Sequence, residues 1–84
     1  MTYTVLICKS AQKNLARLES SIQNRITDAI RDLANNPRPA GTKKLTGREA
    51  WRIRIGDYRI IYEIHDDQLI ILVVVVGHRR EIYK

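Results

Sequence analysis

The sequence predicts a single α+β domain. An N-terminal strand and a two-helix hairpin precede three to four antiparallel strands, and both helices pack on one face of the sheet. Apolar residues recur with helical spacing between Ala11 and Leu33, and they recur at every second position of the two segments Trp51 to Ile55 and Tyr58 to Ile64. The segment Pro37-Arg38-Pro39 separates the two patterns, because proline cannot continue a helix. With 84 residues the chain can form one modest core but not two, so residues 1–84 are expected to form one domain.

The N-terminal half predicts one strand and two helices. Thr2 to Cys8 is rich in β-branched residues, which favour strands. Ser10 is the predicted N-cap of a short first helix, and Ser20 or Ser21 is that of a longer, amphipathic second helix. The prolines within Asn35 to Pro39 end the second helix. Its apolar stripe comprises Ile22, Ile26, Ala29, Ile30 and Leu33.

The C-terminal half predicts strands joined by short turns. Lys43 to Leu45 is a candidate edge strand and is followed by a turn at Thr46-Gly47. After a central hairpin, a turn at Asp66-Asp67 leads into Gln68 to Val76, which is apolar on both faces. That composition indicates a strand in the interior of the sheet.

The central hairpin turns at Gly56-Asp57. A glycine in the first central position suits a two-residue type II′ turn. The resulting register pairs Ile55 with Tyr58, Arg54 with Arg59, Ile53 with Ile60, and Arg52 with Ile61. Because side chains alternate along a strand, Ile53, Ile55, Tyr58 and Ile60 share one face with Trp51 and Tyr62, which are expected in the core. Arg52, Arg54 and Arg59 share the other face.

The three arginines are not required by the fold. Like charges directly opposite each other destabilise a strand pair, here Arg54 and Arg59. A phosphodiester backbone does favour such a patch, because a guanidinium stays charged and can hold two phosphate oxygens. The alternative interpretation is that these arginines are solvated residues on the outer face of a sheet.

Composition and charge narrow the functional class. Fifteen basic and nine acidic residues give a net charge of +6, which favours nucleic acid or an acidic partner. Cys8 is the only cysteine, so no disulfide framework is possible. The N-terminus lacks signal-peptide features, and the apolar run from Leu69 to Val76 is too short to span a bilayer. A soluble, cytoplasmic protein with no membrane partner is expected.

Four blocks of sequence resemble the successive signatures of the RelE/ParE superfamily of bacterial and archaeal toxins, and more particularly its RelE branch. The blocks are Lys44 to Gly47, Trp51 to Arg54, Gly56 to Tyr62, and Val76 to Tyr83. The resemblance implies the RelE-like microbial ribonuclease fold and a toxin that cleaves mRNA in the ribosomal A site. It also implies a cognate antitoxin that silences the toxin, and a complex of the two that binds its own operator DNA through the antitoxin.

The resemblance also implies roles for individual residues. Arg52 and Arg54 occupy the positions of a lysine pair in the best-studied members, Arg59 and Arg79 match phosphate-binding arginines, and Tyr83 matches a C-terminal tyrosine. Further RNA contacts are expected at Lys43, Lys44, Arg48 and Arg80. Nothing in the sequence resembles a metal site or a nucleotide loop, so no cofactor is expected.

Cleavage by attack of the ribose 2′-oxygen needs proton carriers as well as positive charge. Arginine remains protonated, so the arginines can hold charge but cannot readily act as the base. Tyr83 is a candidate proton carrier, and His78 and Glu81 are alternatives. Arg79 reaches the arginine face only if Gly77 bends or bulges its strand. His65, at a predicted turn, is expected to be structural.

Two other functions remain open at this point. In the ParE branch the same fold is a protein-binding inhibitor of DNA gyrase. The block from Arg79 to Tyr83 favours the ribonuclease, because ParE-branch members tend to lack it. The third possibility is a catalytically inactive toxin-fold module, which the replacement of both lysines by arginine keeps in play.

Overall fold

A computed structural model describes residues 2–78, which form a five-stranded sheet and two helices. The elements are β1 (Thr4–Ile7), α1 (Lys9–Ala16), α2 (Ser20–Leu33), β2 (Lys43–Lys44), β3 (Trp51–Ile55), β4 (Tyr58–His65) and β5 (Ile70–His78). This order confirms the predicted fold class. The strand order is β1-β5-β4-β3-β2, so β5 is an interior strand and β2 an edge strand, as predicted.

The first strand completes the sheet in a way that the local sequence pattern does not specify. β1 pairs with β5 in parallel, whereas all the other pairs are antiparallel. The two helices lie between β1 and the rest of the sheet in the sequence, and such a crossover is what allows two strands to run in parallel. The sheet is therefore mixed.

Both predicted helix N-caps are wrong. α1 begins at Lys9 with Cys8 as its N-cap, α2 begins at Ser20 with Glu19 as its N-cap, and neither N-cap side chain caps the helix. The serine hydroxyls bond other side chains instead. Ser10 Oγ lies 3.3 Å from Cys8 Sγ, and Ser21 Oγ donates to Glu19 Oε1 at 3.2 Å. A serine is a cap only when its hydroxyl reaches a backbone N–H of the first turn.

The core lies between the helices and one face of the sheet. Ile26, Ile30 and Leu33 of the predicted apolar stripe are buried against Tyr62 and Val73 of the sheet. Burying one aliphatic side chain of this size contributes roughly 1.5–3 kcal/mol. Trp51 is partly buried and packs against this cluster, so its predicted place on the core face is confirmed.

The segment after α2 is fastened to the sheet. The hydroxyl of the buried Tyr62 donates a hydrogen bond to the carbonyl oxygen of Pro37 at 2.8 Å. Arg38 forms an ion pair with Asp66 at 3.0 Å and lies over the Trp51 ring, 5.0 Å from its centroid. Hydrogen bonds from Tyr3 and Arg38 lower the pKa of the Asp66 carboxyl. These contacts hold the segment that leads into β2.

An irregularity in β5 lies at Val74 rather than at Gly77. Ile61 pairs with Val75 and Tyr62 pairs with Val73, so Val74 is the extra residue of a β-bulge. Its carbonyl oxygen accepts a hydrogen bond from Cys8 Sγ at 3.2 Å. Gly77 pairs regularly with Arg59, so β5 has no bulge at this glycine.

The central hairpin has the predicted register at all four pairs. Gly56 has a φ of 58°, and Asp57 has no positive φ. This combination is that of a type II′ turn, which the sequence predicted.

None of the helices within residues 2–78 is both long and apolar enough to cross a membrane.

Replacing Gly56 with alanine should destabilise the protein by about 1–2 kcal/mol, because an L-residue is strained at positive φ. An added Cβ would meet only Arg25 Nη1, at an ordinary 3.9 Å, so the cost comes from the backbone. Urea unfolding measures the free energy. Asp57→Ala, at the neighbouring turn position, should change it by less than about 0.5 kcal/mol. Equal stability of the two variants would contradict the turn assignment.

Candidate nucleic-acid interface

The face of the sheet that does not pack against the helices, here called the open face, has a groove lined almost entirely by cationic side chains. Its volume is about 140 Å³, and its lining residues are Gly41, Lys43, Arg52, Arg54 and Arg59. We call this site the basic groove. It brings together the three arginines that the hairpin pattern predicted, and it adds Lys43, one of the predicted RNA contacts.

The pairing of strands concentrates these cations. Lys43 on β2 lies directly opposite Arg52 on β3, and Arg54 on β3 lies directly opposite Arg59 on β4. Neighbouring strands are about 4.8 Å apart, and residues two apart on a strand face the same way. Two cross-strand pairs therefore place four positive side chains on one small area of the sheet.

Arg59 is buried, which the sequence did not predict. It is 6% exposed and is the one buried charged residue within 2–78, whereas Arg54 is exposed and Arg52 is half-buried. β4 is the central strand, and the residue opposite Arg59 on β5 is Gly77, which has no side chain. A guanidinium in this position stays charged and is fixed in place, so it forms an electropositive floor for the groove.

Other predicted site residues lie elsewhere. Lys44 pairs with Trp51 on the helix-packed face and forms an ion pair with Glu49 at 3.3 Å. Arg48 lines a separate cleft together with Glu49 and Glu63. Lys44 lies away from the basic groove because side chains alternate along β2, so Lys43 and Lys44 must face opposite ways.

His78 also lies away from the basic groove. It is opposite Tyr58 on the helix-packed side, where the two rings meet edge to face with centroids 5.4 Å apart. The remaining predicted site residues lie outside the described residues. They are Arg79, Arg80, Glu81 and Tyr83.

Comparisons with known proteins place this chain in a family. The sequence profile described as "ParE toxin of type II toxin-antitoxin system, parDE" matches residues 5–83. The chain belongs to this toxin family. It is a type II toxin of the RelE/ParE superfamily, as its sequence blocks predicted.

Relatives of the toxin carry RelE names. It is 31% identical over 88 residues to toxin RelG of Mycobacterium tuberculosis, a match that covers 100% of this chain and 99% of RelG. It is 30% identical over 81 residues to a putative RelE-like toxin protein of Escherichia coli, covering 94% and 85% of the two chains. The family profile is named for ParE and the relatives for RelE, so membership alone does not decide between the two activities.

The fold is confirmed by solved structures. The archaeal RelE–RelB complex from Pyrococcus horikoshii contains a chain that superposes on the toxin with a TM-score of 0.84. The two sequences are 30% identical, and the match covers 94% of this chain and 97% of that one.

Two features of the open face were missed from the sequence. Gly41 forms part of the groove wall and has a φ of 89°, a conformation that favours glycine. Its place shortly after two prolines is the signal that could have found it. His65, predicted at a turn, is the last residue of β4, and its Nε2 lies 2.9 Å from Glu63 Oε1.

The groove can bind anions more readily than it can move protons. Each guanidinium offers two parallel N–H donors to a pair of phosphate oxygens. Arginine neither accepts nor readily releases a proton in a protein. The four cations therefore favour a phosphodiester ligand, and proton transfer there requires Lys43 or residues beyond His78.

Replacing Arg54 with glutamine should stabilise the toxin by about 0.2–1 kcal/mol, because it removes the like charge opposite Arg59. The gain should shrink in 1 M salt, where charges are screened. Urea unfolding at low and high salt measures both effects. Arg31→Gln, which removes an equal charge from the exposed face of α2, is the control. A destabilised Arg54→Gln variant would show that Arg54 supports the fold.

Proposed function

We propose that the toxin is an endoribonuclease that cleaves mRNA in the ribosomal A site. The observation that carries this proposal is the buried Arg59 at the floor of a groove that Lys43, Arg52 and Arg54 also line. The ribose 2′-oxygen attacks the adjacent phosphorus, a route that needs no metal ion. The activity is in the cytoplasm, where translating ribosomes are found.

Fixed positive charge supplies most of the expected catalysis. The phosphorus gains negative charge as the 2′-oxygen attacks, and Arg52, Arg54 and Arg59 can hold that charge without reorganising. Preorganised donors of this kind are typically worth about 2.7–4 kcal/mol each. We assign the same role to Arg79, which matches a phosphate-binding arginine of the family.

The general base is assigned to Tyr83. The arginines cannot serve, and His78 lies on the opposite face of the sheet against Tyr58. Glu81 is the alternative. Neighbouring positive charge favours the phenolate form of a tyrosine, so binding together with the arginines at one phosphate would suit Tyr83 to act as a base.

Inhibition of DNA gyrase is the second candidate function. The name of the matching family profile favours it, because that profile describes the ParE toxin. A protein-binding surface does not require a positively charged groove, however. Fully buried charge is usually avoided in protein contacts, whereas a phosphodiester compensates such charge directly.

A cognate antitoxin is the proposed protein partner. Solved relatives include the archaeal RelE–RelB complex and the E. coli RelBE toxin–antitoxin complex. The net charge of +6 and the basic groove favour an antitoxin segment that carries acidic side chains to this face. We further propose that the complex binds its operator DNA through the antitoxin.

Replacing Arg54 with alanine should reduce mRNA cleavage by about 10²–10³-fold, because one donor to the reacting phosphate is lost. The measurement is single-turnover cleavage of mRNA on programmed ribosomes. Arg31→Ala removes the same charge from α2 on the other side of the sheet and should cleave normally. Wild-type toxin that leaves mRNA intact and blocks gyrase supercoiling would favour the second candidate.

Replacing Tyr83 with phenylalanine should lower the single-turnover rate by about 10²–10⁴-fold, the usual effect of losing an acid–base group. The variant keeps the aromatic ring and removes the ionisable oxygen. Thermal unfolding should be nearly unchanged, because the substitution removes a single hydroxyl group and keeps the ring. Full activity would exclude Tyr83 from proton transfer and move the role to Glu81.

A further inference from the structure

The basic groove contains one described side chain that can give up a proton. Of its lining residues, Gly41 has no side chain, and Arg52, Arg54 and Arg59 stay protonated throughout a reaction. Lys43 alone can cycle between an ammonium and an amine. The groove therefore combines three permanent charges with one exchangeable proton.

We propose that Lys43 is the general acid of the toxin and protonates the departing 5′-oxygen of the cleaved phosphodiester. The inference rests on the proposed ribonuclease function. In the ordinary ammonium form, Lys43 carries three N–H donors and no acceptor, which suits a proton donor and not a base. A base at Tyr83 and an acid at Lys43 would supply both proton transfers that the reaction needs.

The bonds and protons balance in a single step. The bond from O2′ to phosphorus forms as the bond from phosphorus to O5′ breaks. The 2′-hydroxyl proton goes to the general base, and the ammonium proton of Lys43 goes to O5′. The products are a 2′,3′-cyclic phosphate, a 5′-hydroxyl and a neutral Lys43, which regains its proton from water.

The pairing of β2 with β3 supports this role for Lys43 and not for Lys44. Lys43 is exposed on the edge strand β2 and lies opposite Arg52, so its flexible stem starts beside a phosphate-binding guanidinium. Lys44 faces the other side of the sheet and is held by Glu49 at 3.3 Å. The two lysines therefore differ in function although they are adjacent in sequence.

A simpler interpretation is that Lys43 only protects an exposed edge strand. Lysines on edge strands discourage the addition of another chain. Arginine at position 43 would serve that purpose equally well and would keep the positive charge in the groove. Lys43→Arg therefore separates edge protection and charge from proton transfer.

The test compares Lys43→Arg with Lys44→Arg in single-turnover cleavage on programmed ribosomes. One mRNA carries the normal 5′-oxygen at the cleaved bond, and a second carries sulfur at that position. A thiolate leaves without being protonated, so cleavage of the sulfur substrate does not need a general acid. We expect Lys43→Arg to cut the oxygen substrate about 10²–10⁴-fold more slowly than wild type and the sulfur substrate at nearly the wild-type rate. Lys44→Arg should match wild type on both.

The other outcomes overturn the proposal. Equal losses on both substrates would assign Lys43 to binding or structure, and no loss on either would remove it from the reaction. Tyr83→Phe provides a cross-check, because loss of a base should slow both substrates. Failure of the wild-type toxin to cleave either mRNA would overturn the ribonuclease function itself and this inference with it, whereas the first two outcomes leave that function standing.

Discussion

The cross-strand pairing of Arg54 with Arg59 is the constraint on which the rest of the structure depends. The turn at Gly56-Asp57 sets this register, and the same register sends Ile53 and Ile60 to the helix-packed face. A slip of one residue would exchange the two faces, burying arginines against the helices and exposing the apolar residues. The core and the basic groove are thus two consequences of one hairpin geometry.

The positive charges of the basic groove destabilise the fold. Burying Arg59 removes a charge from water, and placing Arg54 opposite adds repulsion. The apolar contacts of α2 with Tyr62 and Val73 offset these costs, and the hydrogen bond from Tyr62 to Pro37 anchors the segment leading to Lys43. A ligand with phosphate groups would relieve the repulsion, so the groove is better suited to a bound anion than to water.

Local patterns predicted much of the architecture and part of the site. Alternation and one glycine were enough for the hairpin, because a strand pair joined by two residues has little freedom of register. The parallel pairing of β1 with β5, the bulge at Val74 and the burial of Arg59 were not predictable, since each depends on strands distant in sequence. The predictions of the helix N-caps were wrong because the hydroxyls of Ser10 and Ser21 bond neighbouring side chains. Lys43 lines the basic groove and Lys44 does not, and this difference became visible only with the pairing of β2 and β3.

A toxin whose groove of fixed positive charge acts on RNA should cut mRNA in the cell. The most direct measurement maps cellular mRNA after brief induction of the toxin and monitors DNA supercoiling in the same cultures. We expect new 5′-hydroxyl ends within codons occupied by ribosomes and unchanged supercoiling. Altered supercoiling with intact mRNA would contradict this expectation.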